Sequence, residues 1–246
     1  MHALGDVAFL AREIASAIVR GRARWEDLLY QFYFIGVRSQ SVVLITGAFT
    51  GMVMCAQTYF QFHKVRMDTA TMAVVSVSMC SELGPVLTAL MVAGRVGAAL
   101  AAELGTMRVT EQIDALRTLA THPVDYLVVP RFLATTLAMP ILTALSISVG
   151  IGAGWVVAVG YLQIDPTYVW HNMVRYTEIG HLMTGLTKSV AYGAMIGLIS
   201  CYKGLHCGEG AEGVGRATTE AVVFSSIAVL ISNFFLTLAL NQIFGV

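Results

Sequence analysis

The chain has 246 residues, of which 57% are hydrophobic and only 12% are charged, and its mean hydropathy is +0.72. Soluble domains carry roughly 25% charged residues, and charges as sparse as these cannot cover a water-facing surface. The composition therefore excludes a soluble globular enzyme, a disordered chain and a nucleic-acid-binding protein. It predicts a protein that crosses a membrane several times.

Five apolar segments are long enough to cross a bilayer core, which takes about 20 helical residues. The predicted spans are residues 42–62, 70–102, 131–162, 186–202 and 221–244. The second and third are longer than one crossing needs, and they contain Pro85 and Pro140. Because proline removes a backbone hydrogen bond, we expect these helices to be kinked or to extend beyond the membrane. The predicted fold is an all-α bundle of five spans.

The distribution of basic residues predicts the orientation of this bundle. With a cytoplasmic N-terminus, the inner segments carry ten arginines and lysines and the outer segments carry three. Cytoplasmic segments are the ones enriched in these residues. We therefore expect the N-terminus inside and, after five crossings, the C-terminus outside.

Residues 1–40 precede the five-span bundle, which we assign to residues 41–246 of a single domain. Apolar residues recur there at helical spacing: Leu4, Val7, Ala11, Ile14 and Ile18. The pattern predicts an amphipathic helix lying in the membrane interface. The alternative is a short helix packed on the rest of the protein.

Glu82 lies inside the second predicted span, three residues before Pro85. A charge at the middle of a membrane helix costs about 2.5–3.5 kcal/mol by insertion scales, so the carboxylate should face a cavity or a partner. The alternative is a hydrogen-bond anchor at the Pro85 kink. Arg95 follows thirteen residues later, roughly 20 Å along a straight helix, and is expected to reach the inner headgroups.

Small residues four positions apart occur in three of the spans. They are Gly47 and Gly51, then Gly97, Ala101 and Gly105, and finally Gly193 and Gly197. Such faces allow helix backbones to approach closely within a membrane. They favour a tight bundle or a dimer without distinguishing between the two.

The segment at about residues 109–120, between the second and third spans, predicts a short amphipathic helix. We expect Thr110 to cap it, Glu111 and Asp114 to occupy its first turn, and Pro123 to end it. Its apolar face comprises Ile113, Leu116 and Leu119 or Ala120. Such a helix can dock into a groove on a partner or pack on its own bundle.

We recognise no motif for catalysis, nucleotide binding or metal binding. The GxGxxG match at residues 208–213 links two predicted spans, so we interpret it as a flexible loop rather than a dinucleotide site. The four cysteines are interpreted as small buried hydrophobic residues. We predict no enzyme activity, no catalytic residue, no metal site and no cofactor on this chain.

Several blocks of the sequence resemble the MlaE family of ABC-transporter permeases, which move phospholipids or related lipids between membranes. The blocks are ELGPVLTAL at residues 82–90, AGRVGAALAAELG at 93–105, MRVTEQIDAL at 107–116, PRF at 130–132 and GRATT at 215–219. The similarity extends over nearly the whole chain from about residue 40.

The resemblance implies a homodimeric permease in the bacterial inner membrane with one interfacial helix and five spans per subunit. It also implies a cytoplasmic ABC ATPase, which would carry the ATP and Mg²⁺, and an MCE-domain protein on the outer side. A small cytoplasmic subunit of the STAS type is a further partner that it suggests. The coupling helix that contacts the ATPase would include Glu111, Gln112, Ile113, Asp114 and Leu116.

A lipid pocket between the two subunits is also implied by the resemblance. Its residues in this chain would be Glu82, Leu83, Met54, Tyr59 and Phe62. Many members have arginine immediately before the pocket glutamate, whereas this chain has Ser81, which puts an Arg–Glu pair in doubt here.

Two other functions remain open at this stage. One is an ion-coupled secondary carrier that uses Glu82 as a proton site, and the other is a structural scaffold subunit of a larger membrane assembly. A carrier of this kind commonly contains a repeat that pairs broken helices, and we recognise none in the sequence.

Overall fold

The structure, a computed structural model, describes residues 2–20, 25–119 and 122–244. Within these ranges the chain is helical and contains no strand. Eight helical segments in the described ranges are labelled here in chain order. They are α1 (His2–Val19), α2 (25–63), α3 (Asp68–Val109), α4 (Gln112–Thr118), α5 (Val124–Tyr161), α6 (Pro166–Tyr176), α7 (Ile179–Leu205) and α8 (Gly210–Phe244).

Five of these helices, α2, α3, α5, α7 and α8, are long and apolar enough to cross a membrane. The prediction of an all-α protein with five spans and a helix before them is thus confirmed. Each helix is longer than its predicted span. The largest difference is in α2, which begins at Trp25 rather than at residue 42. Its first part carries Asp27, Gln31 and Arg38, which lower the hydropathy, but Leu28 and Ile35 are buried and hold it in the bundle.

Five short π-helical turns lie in three of the described helices, α2, α3 and α5. They are Tyr33–Val37 and Met79–Leu83, then Ala93–Gly97, Val124–Val128 and Val157–Tyr161. A π turn inserts one extra residue into the helix and often marks a functional position. The turn at Met79–Leu83 lies where the sequence predicts a kink, immediately before Gly84 and Pro85.

The residues divide into two compact units. The first unit takes Met1–Ser39, Ala89–Met139 and Val190–Ile231, and the second takes Gln40–Thr88, Pro140–Ser189 and Ser232–Val246. The core of the first unit is built by α1, α4 and parts of three longer helices. Its buried members are Leu10, Ile14, Ala17, Leu104, Ile113, Leu127, Val128, Val129, Cys201 and Tyr202.

The N-terminal helix α1 packs on the first unit. Its buried residues are Leu10, Ile14 and Ala17, whereas Ile18, which was predicted for the apolar face, is 37% exposed. The packed face overlaps the predicted one at Val7 and Ile14, but it also includes Leu10 and Ala17, which were not predicted for it. The packing given as the alternative is thus observed within this unit, and the position of the helix in the membrane interface stays a prediction.

The second unit has a smaller core at the beginning of α3. It contains Cys55, Met72, Val75, Met79, Ala158, Ile164 and Val169. Residue Val169 comes from α6, a helix that begins with Asp165 accepting a hydrogen bond from the Thr167 amide at 2.8 Å. A short helix thus lies between the third and fourth spans.

The small residues predicted for close helix contact are used within each unit. In the second unit, a methyl group on Gly51 would collide with the carbonyl oxygen of Gly150, so α2 and α5 touch backbone to backbone. In the first unit, a methyl group on Gly193 would lie 2.9 Å from the Thr135 carbonyl oxygen. These glycines therefore support tight packing inside one chain.

Candidate functional site

The main polar site of the second unit lies next to Pro85 in α3. Proline has no N–H, so the carbonyl oxygen of Ser81, four residues earlier, loses its usual helical partner. The preceding π turn shifts the pattern further, because the Gly84 amide donates to Met79 rather than to Cys80. The free carbonyl and the neighbouring Glu82 side chain together form a group of acceptors inside α3.

Lys188 of α7 supplies the cation that these acceptors need. Its side chain is 0% exposed. The ammonium donates to Glu82 Oε1 at 2.6 Å, to Thr237 Oγ1 at 2.8 Å and to the Ser81 carbonyl oxygen at 3.1 Å. An ammonium has three N–H donors, so all of them are used.

Residues of α8 complete the coordination of Glu82. Asn233 Nδ2 donates to Glu82 Oε2 at 3.1 Å, and Thr237 Oγ1 lies 3.0 Å from Glu82 Oε1. The Glu82 side chain is 37% exposed. The Lys188–Glu82 pair thus joins α3, α7 and α8, with its cation enclosed and its carboxylate partly open.

Lys188 was not among the predicted site residues, although Ser81 stands where an arginine was expected beside Glu82. Lys188 stands in an apolar helix, and an intramembrane ammonium requires an anionic partner as much as Glu82 requires a cationic one. That reciprocal need was the signal in the sequence. In place of an arginine beside Glu82, this chain supplies the cation from another helix.

Further polar contacts fasten the segment around α6 to α3. Ser81 Oγ lies 3.2 Å from His181 Nδ1, and Ser76 Oγ lies 2.6 Å from Thr177 Oγ1. The Asn172 side chain donates to the Thr69 carbonyl oxygen at 3.0 Å. These bonds hold the connection between α5 and α7 against the part of α3 that carries Glu82.

The structure places the other predicted pocket residues in the same unit. Met54, Tyr59 and Leu83 pack on the small core of that unit. Phe62 is half-buried, one turn after Tyr59, whose ring stacks on His63 with centroids 5.3 Å apart. Leu83 thus joins Met54 and Tyr59, whereas the polar contacts of Glu82 are with α7 and α8.

The predicted coupling helix is present as α4, but its beginning and end differ from the prediction. The Thr110 hydroxyl donates back to the Thr106 carbonyl oxygen and does not cap α4. Glu111 lies before the first turn, in a left-handed conformation with φ of 57°. Pro123 begins the next helical segment instead of ending this one, because its fixed φ suits a helix start.

One face of α4 is fixed to the first unit. Ile113 is 1% exposed, and Leu116 packs on the same core, whereas Leu119 is 73% exposed. Asp114 accepts from Arg108 of α3 at 3.0 Å, which ties α4 to the end of α3, and from Arg117 of α4 itself at 2.9 Å. Glu111 and Gln112 remain exposed. The packing expected as an alternative is observed, and it still leaves a polar face available.

A cavity of about 700 Å³ opens beside α4 in the first unit. Its charged lining comprises Asp6, Glu13, Arg108 and Arg117, and its apolar lining includes Phe9, Leu10, Ile113 and Leu205. The helix between two membrane-length helices thus borders a recess of mixed polarity. Such a recess can accept a protruding segment of a partner protein.

The GxGxxG match does not form the flexible loop that we expected. Helix α8 begins at Gly210, so that only residues 206–209 separate it from α7. The Cys207 thiol donates to the Gly105 carbonyl oxygen at 3.3 Å, and burial raises the pKa of this thiol above its ordinary value.

Comparison with known proteins gives consistent results. The family model described as permease MlaE matches residues 28–239. A probable ABC transporter permease protein of Synechocystis is 44% identical over 95% of this chain and 89% of its own length. The intermembrane phospholipid transport system permease protein MlaE of Haemophilus influenzae is 34% identical over 96% of this chain and 91% of its own. The chloroplastic protein TRIGALACTOSYLDIACYLGLYCEROL 1 of Arabidopsis thaliana is 36% identical over 94% of this chain and 66% of its own.

Proposed function

Because the chain belongs to the MlaE family of permeases, we propose that it is the membrane subunit of an ATP-driven phospholipid transporter acting between the inner and outer membranes. It is a multi-pass membrane protein with five membrane-length helices. We place it in the bacterial inner membrane as a homodimer, with its N-terminus in the cytoplasm. ATP and Mg²⁺ bind a separate ABC ATPase chain.

The way α4 is attached carries this proposal. A helix that transmits force must move with the membrane helices rather than slide over them. Ile113 is buried in the unit that contains the end of α3, and Arg108 and Arg117 hold Asp114. The helix is therefore rigidly attached, and Glu111 and Gln112 face solvent, where a partner reaches them.

The lipid lies, in this proposal, in a pocket at the interface of the two subunits. Met54, Tyr59, Phe62 and Leu83 supply its apolar wall, and Glu82 supplies the polar group. Long acyl chains need an apolar surface of this kind, whereas a headgroup needs a hydrogen-bonding side chain. On the outer side an MCE-domain protein exchanges lipid with the pocket, and a small STAS-type subunit joins the ATPase side.

The function of Glu82 is tested by Glu82→Gln, which keeps the size of the side chain but removes its charge and replaces one acceptor oxygen by an N–H donor. We expect lipid transport, measured as restoration of the outer-membrane permeability barrier in cells, to fall while the complex still co-purifies. Glu103→Gln is the matched control, because Glu103 is also on α3, 38% exposed and paired with the buried Arg131. Full activity of the Glu82 variant would contradict a role in the pocket.

The two alternative functions, an ion-coupled carrier and a scaffold, predict different results for the purified protein. An ion-coupled carrier would move its substrate in vesicles that contain this chain alone under a pH gradient. A scaffold would retain no lipid after purification. We expect neither result, because transport in our proposal needs both the pocket and the ATPase.

A further inference from the structure

We infer that Glu82 selects the lipid by accepting a hydrogen bond from its headgroup, so that the site favours headgroups with N–H donors, such as phosphatidylethanolamine. This inference rests on the proposed function and names the substrate class of the same site. The headgroup preference follows from the hydrogen bonding of the Lys188–Glu82 pair: the donors of Lys188 are all used, whereas Glu82 has acceptor positions left.

The cation of the pair is closed to any ligand. Lys188 is 0% exposed, and its three N–H groups already donate to Glu82, Thr237 and the Ser81 carbonyl oxygen at 2.6–3.1 Å. A lipid phosphate needs donors, and this ammonium has none left to offer. Lys188 therefore does not act as a phosphate-binding residue.

The anion of the pair is open. A carboxylate has about four acceptor positions on its two oxygens. Among the described residues, Glu82 Oε2 accepts one hydrogen bond, from Asn233 at 3.1 Å, and the side chain is 37% exposed. An approaching group thus meets carboxylate oxygen with unused acceptor capacity, which attracts an ammonium and repels an unprotonated phosphate.

The pair Lys188–Glu82 has no net charge, so the preference arises from short-range hydrogen bonding rather than from a long-range field. Hydrogen bonding to Glu82 distinguishes two headgroups that carry the same charges but differ in their N–H donors. Phosphatidylethanolamine has a primary ammonium with N–H donors, whereas phosphatidylcholine has a quaternary ammonium with none. A net hydrogen bond of about 1 kcal/mol corresponds to about fivefold in binding.

The test uses the purified complex in nanodiscs of phosphatidylethanolamine, phosphatidylcholine and phosphatidylglycerol with identical acyl chains. The lipid that stays bound after the nanodisc is removed is quantified by mass spectrometry against the bulk composition. We expect the ratio of phosphatidylethanolamine to phosphatidylcholine to be enriched about fivefold over bulk in the wild-type protein.

Two variants connect this enrichment with the carboxylate. Glu82→Gln replaces an acceptor by an amide N–H group and leaves the Lys188 charge uncompensated, so the enrichment should vanish and phosphatidylglycerol should be retained in excess. Glu103→Gln should keep the wild-type ratio. A variant that merely unfolds would lose all bound lipid and would not retain phosphatidylglycerol in excess.

The possible outcomes separate this inference from the proposed function. Bound lipid at the bulk ratio in the wild-type protein, or an enrichment that survives Glu82→Gln, overturns the headgroup selection while leaving lipid transport intact. A complex that retains and moves no lipid overturns the proposed function itself.

Discussion

At the scale of single residues, the polar site depends on the ion pair between Glu82 and Lys188. Glu82 could be singled out from the sequence because a carboxylate inside an apolar span is costly. Lys188 stands out by the same argument, but its pairing with Glu82 does not, because 106 residues separate the two and only the fold determines which helices adjoin. Pro85 explains why this place in α3 offers a free carbonyl oxygen as well.

Removing the cation alone should destabilise the protein. Lys188→Met leaves Glu82 without its counterion, and breaking one side of a buried ion pair costs about 3–5 kcal/mol. Because Glu82 is partly exposed, we expect the lower end of that range. The measurement is the free energy of unfolding in detergent, with Lys203→Met, whose side chain is 22% exposed, as the milder control.

A double variant shows whether the loss arises from the unpaired charge. Lys188→Met combined with Glu82→Leu removes both charges, and it should recover most of the stability that Lys188→Met loses. Equal destabilisation of the single and double variants would mean that the packing of the lysine stem, rather than the pair, stabilises the three helices.

At the scale of elements, the number and type of the helices follow from the sequence, whereas their ends do not. Apolar runs identify the five spans, but α2 and α8 continue into polar sequence because neighbouring helices still pack on them. The start of α4 shows the same limit. A threonine before acidic residues resembles a cap, yet the left-handed Glu111 and the Thr110 bond to Thr106 place the turn differently.

Close contact of α2 with α5 makes Gly51 sensitive to substitution. Gly51→Ala should destabilise the protein by about 1–3 kcal/mol, because the added methyl group has no room beside the Gly150 backbone. Gly152→Ala is the control, since nothing lies within 4 Å of its added methyl group. Thermal unfolding in detergent measures both, and equal midpoints would disprove the close contact.

The exposed polar end of α4 is predicted to bind the ATPase. Glu111→Lys should weaken the association at least about tenfold, through reversed charge at the interface. Glu111→Gln keeps the backbone strain and removes only the charge, so its effect should be smaller. Glu212→Lys, which reverses the charge of an exposed residue on α8, is the control. The apparent Kd of the purified chains measures the effect, and unchanged affinity for Glu111→Lys would refute the coupling assignment.

At the scale of the whole molecule, the membrane class and the family were predictable from composition and from the blocks at residues 82–116. The division into two units was not, because it depends on which parts of long helices pack together. The same holds for the small-residue faces. Gly51 and Gly193 could serve a bundle or a dimer by spacing alone, and the structure assigns both to contacts inside the chain.

The central claim is that a lipid held between two copies of this chain moves when a separate ATPase acts on α4. The most direct measurement is release of bound, labelled phospholipid from the purified dimer. We predict that lipid stays bound to the dimer alone and to the dimer with the ATPase but without nucleotide. It should leave when ATP and Mg²⁺ are added to the assembled complex. Release by the isolated chain, or a chain that stays monomeric and binds no ATPase, would contradict it.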